Sequence, residues 1–218
     1  MTLTPLIINS QEWKTPLTGT PLQTVNTARL RHLRYRGTYY MEGVKGHEYY
    51  RTTSGWLPVV GLQQRQGRRW ETWMVDDPLH WYGIGEAVDD LPDGRILVAG
   101  LGLGLMLHHM ATQPRFTRIT VVEVNPDVIA LIAPLAPKDD RIQIIEADFY
   151  RYIESITPAD IEGVFWDLAV GTPQETWPSM LRGSVLCDIH LPGVPVVQFG
   201  KRKQPRNEPR RAARKEQK

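Results

Sequence analysis

The sequence predicts an α/β protein built on a mostly parallel sheet, and three observations carry that reading. Between residues 93 and 200, short apolar runs alternate with stretches of helical period. A glycine-rich turn, Gly100-Leu-Gly-Leu-Gly104, directly follows the first of these runs and opens the next helical stretch. Residues 1–92 have a different texture. They are rich in tryptophan and tyrosine, with Gly and Pro punctuation, and read as a small antiparallel β region placed before the parallel sheet.

The N-terminal region yields four strand-like runs, Leu33–Tyr40, His47–Thr52, Leu57–Gln63 and Trp70–Val75, each rich in residues that suit a pleated surface and separated by glycine-containing turns. Its first 28 residues show no clear period. In the second region, Arg95–Ala99, Arg118–Glu123, Arg141–Glu146, Gly163–Asp167 and Val194–Phe199 read as successive strands. Their near-continuous apolar character is what strands covered on both faces require. Val128, Ile129, Leu131, Ile132 and Leu135 recur at helical spacing, with Pro126 suited to the first turn. The sheet reads as truncated after its fifth strand, because Phe199 is followed only by a basic tail. Residues 201–218 hold nine Lys/Arg against two acids and contain no Leu, Ile, Val, Phe, Trp or Tyr, so they predict a disordered segment. The organisation is therefore 1–92, 93–200 and 201–218.

Composition narrows the class. With 41% apolar and 23% charged residues, the 218-residue chain is neither disordered throughout nor collagenous. Its longest apolar-plus-glycine run, Ile96–Leu107, falls short of the roughly 20 residues that a membrane helix needs. Met1–Trp13 lacks a basic cluster followed by an apolar stretch, and the lone Cys187 cannot form an internal disulfide. Both point to a cytoplasmic protein without a membrane partner. Cys187 reads as a small buried apolar residue. The net charge of +2 conceals a tail at +7, so the rest of the chain is acidic. That tail could neutralise phosphates of a nucleic acid, though it offers no base-stacking platform.

The glycine turn is the first candidate site. Glycines allow a tight turn and close approach of a ligand, and N–H groups at a helix start favour anionic or polar groups. The spacing is G-x-G-x-G, with Leu105 where a dinucleotide fingerprint wants its third glycine. Glu123 ends the second strand and can accept two hydrogen bonds from ribose hydroxyls. Asp148 follows the third strand, at the rim where open α/β sheets bind ligands, and can accept from an adenine amino group with Phe149 beside the ring; it equally suits an N-cap. Asp167 ends the fourth strand and can orient a substrate amine or organise the loop. Trp177, in the loop after it, suits stacking on a substrate or anchoring a helix. The adjacent His108 and His109 do not share a helix face, and no zinc spacing is present, so no metal is expected.

These residues resemble the class I S-adenosylmethionine-dependent methyltransferase superfamily, nearest its spermidine-synthase-like branch. Ile96-Leu-Val-Ala-Gly-Leu-Gly-Leu-Gly104, Val121-Val-Glu-Val-Asn-Pro-Asp-Val-Ile129, Glu146-Ala-Asp-Phe149 and Phe165-Trp-Asp167 resemble four of its motifs in order, over residues 93 to 170. The resemblance implies a Rossmann-like fold of the class I methyltransferase type. It implies S-adenosylmethionine as cofactor, held by Gly100, Leu101, Gly102, Gly104, Glu123, Asn125, Asp148 and Phe149. It also implies that Asp76-Asp77-Pro78-Leu79-His80-Trp81-Tyr82 lines the mouth of the site, so Asp167, His80 and Tyr82 are the catalytic candidates; the alternative is a polar linker with aromatic packing.

Three departures from the family patterns stand out. Val98 replaces the acid that methyltransferases carry two residues before the first glycine. Leu103 replaces an Asp of the polyamine synthases, and their D-x-x-D becomes Asp167-Leu-Ala-Val170. The last of these argues against aminopropyl transfer. The leading expectation is thus methyl transfer to an unidentified small-molecule or macromolecular acceptor. The alternatives are an aminopropyltransferase and a non-catalytic nucleotide-binding or interaction protein whose tail meets nucleic acid. The aromatic β segments also suit a homo-oligomer interface.

Overall fold

A computed structural model describes residues 4–35, 38–41, 44–53, 55–168 and 173–199. The C-terminal part is a five-stranded parallel sheet. Its strands are β8 (Gly94–Ala99), β9 (Phe116–Glu123), β10 (Ile142–Glu146), β11 (Gly163–Trp166) and β12 (Val196–Gln198), in the order β10-β9-β8-β11-β12. The chain runs outward from β8 in one direction through β9 and β10, then crosses back to β11. The ends of β8 and β11 therefore flank a topological switch point, where open α/β sheets leave a crevice. This is a Rossmann-like α/β arrangement.

The apolar runs are continuous because both faces are covered. On β8, Ile96 and Val98 point into a cluster with Ile84 and Val88 of α1 (Pro78–Asp89), Leu105 and Met110 of α2 (Leu105–Ala111), and Val128 and Leu131 of α3 (Pro126–Ile132). Leu97 and Ala99 point the other way. They meet Phe149 of α4 (Phe149–Tyr152), Ile153, and Cys187 of α5 (Pro173–His190). Fully burying a Leu, Ile or Val side chain contributes about 1.5–3 kcal/mol, so β8 is anchored by burial on both of its faces.

The N-terminal part builds two sheets. The larger is antiparallel, β2 (Thr24–Val25), β3 (Ala28–Tyr35), β6 (Leu57–Gln66) and β7 (Arg69–Val75), in that order. The smaller has the order β1-β5-β4, from β1 (Leu6–Ile8), β4 (Thr38–Tyr40) and β5 (Tyr49–Thr52), with β1 parallel to β5. Leu30, Leu62 and Met74 belong to the same cluster as Ile96 and Val98. Leu57, Val59 and Val75 instead pack with Trp13, Met41 and Tyr50. The larger sheet is thus continuous with the core of the parallel sheet on one face.

Several local expectations are corrected. The run Leu33–Tyr40 is two strands, β3 beginning five residues earlier and β4 at Thr38. The first 28 residues contain β1 and β2, which are too short to show a period. The segment Asp76–Tyr82, for which a polar linker is the alternative, instead leads into helix α1, which starts at Pro78 and runs to Asp89. Asp77 caps it by accepting from the His80 N–H, and Pro78 occupies its first turn. The N-terminal β region is more than antiparallel, through the parallel β1–β5 pair. No helix among the described residues is long and apolar enough to cross a membrane. The tail 201–218 lies outside the described residues.

Candidate functional site at the strand ends

The glycine loop needs its glycines for two different reasons. Gly100 has φ +89°, and a Cβ there would lie 2.8 Å from the backbone oxygen of Asp167. The loop leaving β8 therefore passes against the end of β11, and only glycine fits. Gly102 has φ +52°, and its Cβ would lie 2.7 Å from the Met74 sulfur. That sulfur also accepts from the Leu103 N–H at 3.3 Å. The last strand of the N-terminal sheet thus seats a thioether on the loop, a contact between residues far apart in sequence. The Leu101 and Leu103 side chains are buried beneath.

Glu123 ties the loop to the next strand end. Its Oε2 accepts the Leu101 N–H at 2.9 Å and its Oε1 accepts the Asn125 N–H at 2.8 Å. Each carboxylate oxygen retains a further lone pair, so both can still receive ribose hydroxyls. Asn125 caps α3 by accepting from the Asp127 N–H at 2.9 Å. Asp127 in turn holds the β2–β3 turn. It accepts from Asn26 Nδ2 at 2.9 Å, the Thr27 N–H at 3.0 Å and the Thr27 hydroxyl at 2.5 Å. These bonds hold the Asp127 carboxyl below its usual range, with Thr27 contributing most. The N-terminal hairpin is therefore latched beside Glu123.

Asp148 caps α4, accepting from the Tyr150 and Arg151 N–H groups through one oxygen, Oδ1, at 2.8 and 3.2 Å. The neighbouring Phe149 is buried in the core on the α5 side of the sheet. Its ring faces apolar side chains there, and its edge-on neighbour is Tyr150.

The first turn of α1 brings a second group toward the end of β11. Asp77 Oδ1 accepts from the His80 backbone N–H at 3.0 Å and pairs with His80 Nδ1 at 2.6 Å. Its Oδ2 accepts from the buried Tyr50 hydroxyl at 3.1 Å. A carboxylate acceptor on Nδ1 fixes the neutral imidazole as the Nδ1–H tautomer, with Nε2 as its basic nitrogen. The His80 ring lies beside Phe199, centroids 5.5 Å apart. Asp167 faces the same region. Burial raises its carboxyl to about 6, and the charge of His80 pulls in the opposite direction. The side chain is enclosed by protein but keeps a strip of accessible surface, so its proton can exchange with solvent.

The structure groups these residues unevenly. Gly100, Leu101, Gly102, Gly104, Glu123 and Asn125 form one continuous hydrogen-bonded and packed unit with Asp167 at its edge. His80 joins Asp167 electrostatically. Tyr82 stands apart. Two residues from His80 on α1, its ring meets Trp13 at 5.8 Å and the Lys45 ammonium at 4.5 Å. Asp76 lies deeper, accepting from the Thr15 hydroxyl and the Val60 N–H, and burial raises its pKa. The Trp177 side chain lies outside the described residues. Of the histidine pair, His109 bonds the Trp81 carbonyl and stacks on that ring, while His108 turns to a different environment in which its Nε2 is buried without a partner. Sequence reasoning placed Asp77 at the mouth of the site but missed its pairing with His80, and it missed Met74 and the Asn26–Thr27 latch. Asp77-Pro78, a capping residue before a first-turn proline, was the available signal for the turn that sets Asp77 against His80.

No family model matches the sequence, and no curated protein does. Solved structures do resemble it. A spermidine synthase bound to the transition-state analogue AdoDATO is 12% identical, with a TM-score of 0.39, over 72% of this chain and 47% of that one. SAM-bound CalS10, an amino pentose methyltransferase from Micromonospora echinaspora, is 23% identical, with a TM-score of 0.33, over 50% and 42%. Human methyltransferase-like protein 13 with SAH is 22% identical, with a TM-score of 0.31, over 44% and 46%. The chain thus spans less than half the length of each of these three proteins.

Proposed function

We propose that the chain is an S-adenosylmethionine-dependent transferase, with the cofactor on the glycine loop and methyl transfer as its reaction. One observation carries the reading: the Glu123 carboxylate joins the Gly100–Gly104 loop to the start of α3 at the switch point of a parallel sheet, and keeps lone pairs for a ribose diol. The donor set fits the group. Glu123 supplies acceptors for the hydroxyls, and Asp148 retains acceptor capacity on its second oxygen. When bound, the cofactor supplies an electrophilic methyl on a sulfonium.

This chain's own residues then align and deprotonate the acceptor. Asp167, at the edge of the loop, orients the attacking group. His80, held as the Nδ1–H tautomer by Asp77, takes the acceptor's proton on Nε2. Alignment supplies the larger share of the acceleration, because displacement at carbon needs the two reacting groups in line and free of water. Methyl-labelled S-adenosylmethionine incubated with panels of amines, phenols, peptides and RNA tests the reading. Label transfer that His80→Gln slows and Asp77→Asn slows less supports it; no transfer to any class contradicts it. A second reading, a non-catalytic nucleotide-binding protein, is favoured by the Met74 sulfur on the Leu103 N–H, which uses a loop donor internally.

A further inference from the structure

The larger N-terminal sheet has one face in the shared core and an outer face that is only half covered. At its Leu57 end, Leu57 and Val59 pack with Trp13, Met41 and Tyr50. At the other end, toward the β6–β7 hairpin, the outer face is open: Arg31 and Arg65 are exposed on it, and Arg68 is exposed in the hairpin turn.

Cross-strand register determines which side chains share that open half. Thr24 stands opposite Arg29, Arg29 opposite Gln63, and Gln63 opposite Thr72, forming one row across four strands. Arg65 opposite Trp70 forms a row nearer the hairpin, and Arg31 opposite Gly61 forms one nearer the covered end. Leu30 and Leu62 point into the core, so Arg29, Arg31 and Gln63, their neighbours in sequence, point outward. The register shift beside Leu62 falls at Trp73 on β7, which leaves Thr72 and Trp70 on the same outer face. Glu71, the only acid in the 63–72 segment, pairs with Gln64 on the opposite face.

The side chains form a layered platform. The Arg29 guanidinium lies 4.2 Å from the centroid of the Trp70 ring. Its Nε donates to Gln63 Oε1 at 2.8 Å, and Gln63 Nε2 donates to the Thr72 hydroxyl at 2.9 Å. Burial and the neighbouring Arg31 charge both push the Arg29 pKa below its ordinary value. Among the described residues, none of Arg29, Arg31, Arg65, Arg68 and Arg69 forms an ion pair with a carboxylate. Arg29, Arg31 and Arg65 thus share an outer face that carries no opposing acid on these strands, with Arg68 at its hairpin edge; Arg69, opposite Gln66, lies on the other face with Glu71.

We propose that this open sheet face binds single-stranded nucleic acid. Trp70 with Arg29 supplies planar surfaces on which bases stack, Gln63 and Thr72 supply polar groups beside them, and Arg31, Arg65 and the hairpin's Arg68 meet the phosphates. A lipid surface fits less well, because the hairpin presents no exposed large apolar side chain. An acidic protein would use the charges but not the stacked planes. The inference is independent of the cofactor site and of the basic tail.

Fluorescence anisotropy of the full chain with labelled oligouridine and oligothymidine of about 16 nucleotides, over a range of salt, tests this. The expected result is salt-sensitive binding that the exposed-site double variant Arg31→Glu/Arg65→Glu weakens about tenfold or more. Trp70→Leu is expected to weaken it about fivefold or more. A tail variant, Arg210→Glu/Arg211→Glu/Arg214→Glu, is expected to keep the dependence on Arg31 and Arg65. If Trp70→Leu lowers the melting temperature, Trp70→Phe serves in its place. Absence of binding, or binding that the Arg31/Arg65 reversal leaves unchanged, overturns the proposal. So does equal or tighter binding to polyglutamate, heparin or anionic vesicles with no effect at Trp70.

Discussion

Glu123 Oε2 accepts the Leu101 N–H at 2.9 Å, so the carboxylate that ends β9 is also the clasp of the glycine loop that ends β8. One residue therefore shapes the loop and presents acceptors to a ligand on it. Glu123→Gln keeps one acceptor oxygen but turns an NH2 toward a backbone N–H. The variant is expected to lose about 1–3 kcal/mol of stability, read by urea unfolding, with the loss concentrated in faster amide exchange at Leu101 and Asn125.

Asp167 should give the pH dependence its sign. Its carboxyl is raised to about 6 by burial, above the value of an unfolded chain. The folded state therefore holds the proton more tightly. The associated stability is fully present below about pH 4 and is lost as the pH rises through about 6. Asp167→Asn should remove that loss and be more stable than the parent at pH 7.5 by about 1–2 kcal/mol, the lower part of what the shift allows because the group keeps some solvent contact. Urea unfolding at pH 4.5 and 7.5 checks this. Equal pH dependence in both proteins would contradict it.

The Asp127 latch should behave in the opposite sense. Its carboxyl is held below the usual range by Thr27 and Asn26. Its contribution is present above the ordinary carboxylate pKa and is lost as the pH falls through the lowered value. Hydrogen exchange at Asn26 and Thr27 should accelerate in Asp127→Ala, and at low pH should no longer differ between variant and parent once the intrinsic rate is taken out.

Cys187 should be inert in the folded protein. It is buried between α5 and the sheet, and burial followed by the Asp188 charge pushes its thiol up to about 11. Only the thiolate attacks. A thiol reagent at pH 8 should label it at the rate of unfolding and no faster, and urea should accelerate labelling.

The parallel half of the fold was legible in the sequence because its strands are buried on both faces. Ile96-Leu-Val-Ala99 has no polar position to blur the pattern, and β8 ends where the apolar run ends. Helix α1 was hidden by its composition: Gly83 and Gly85 interrupt it, and Trp81 and Tyr82 read as β-formers. Gly83 is there because a Cβ would lie 2.8 Å from Phe199, a tertiary reason that no local pattern carries. At the site, Glu123 was visible as an acid ending a strand. Its bond to Leu101 was not, since it depends on the path of the loop. Phe149 shows the limit of motif reading: its position follows a strand end, but its ring is directed into the core by the capped turn that Asp148 begins.

The central claim is that the Glu123-clasped loop is a cofactor site. Calorimetric titration of the full chain with S-adenosylmethionine, S-adenosylhomocysteine and decarboxylated S-adenosylmethionine tests it most directly. Glu123→Gln serves as control, and its melting curve is recorded beside the titration. The account predicts saturable 1:1 binding of the first two, weakened about tenfold or more in the variant. No heat from any of the three with a folded parent protein, or binding that Glu123→Gln leaves unchanged, would contradict it.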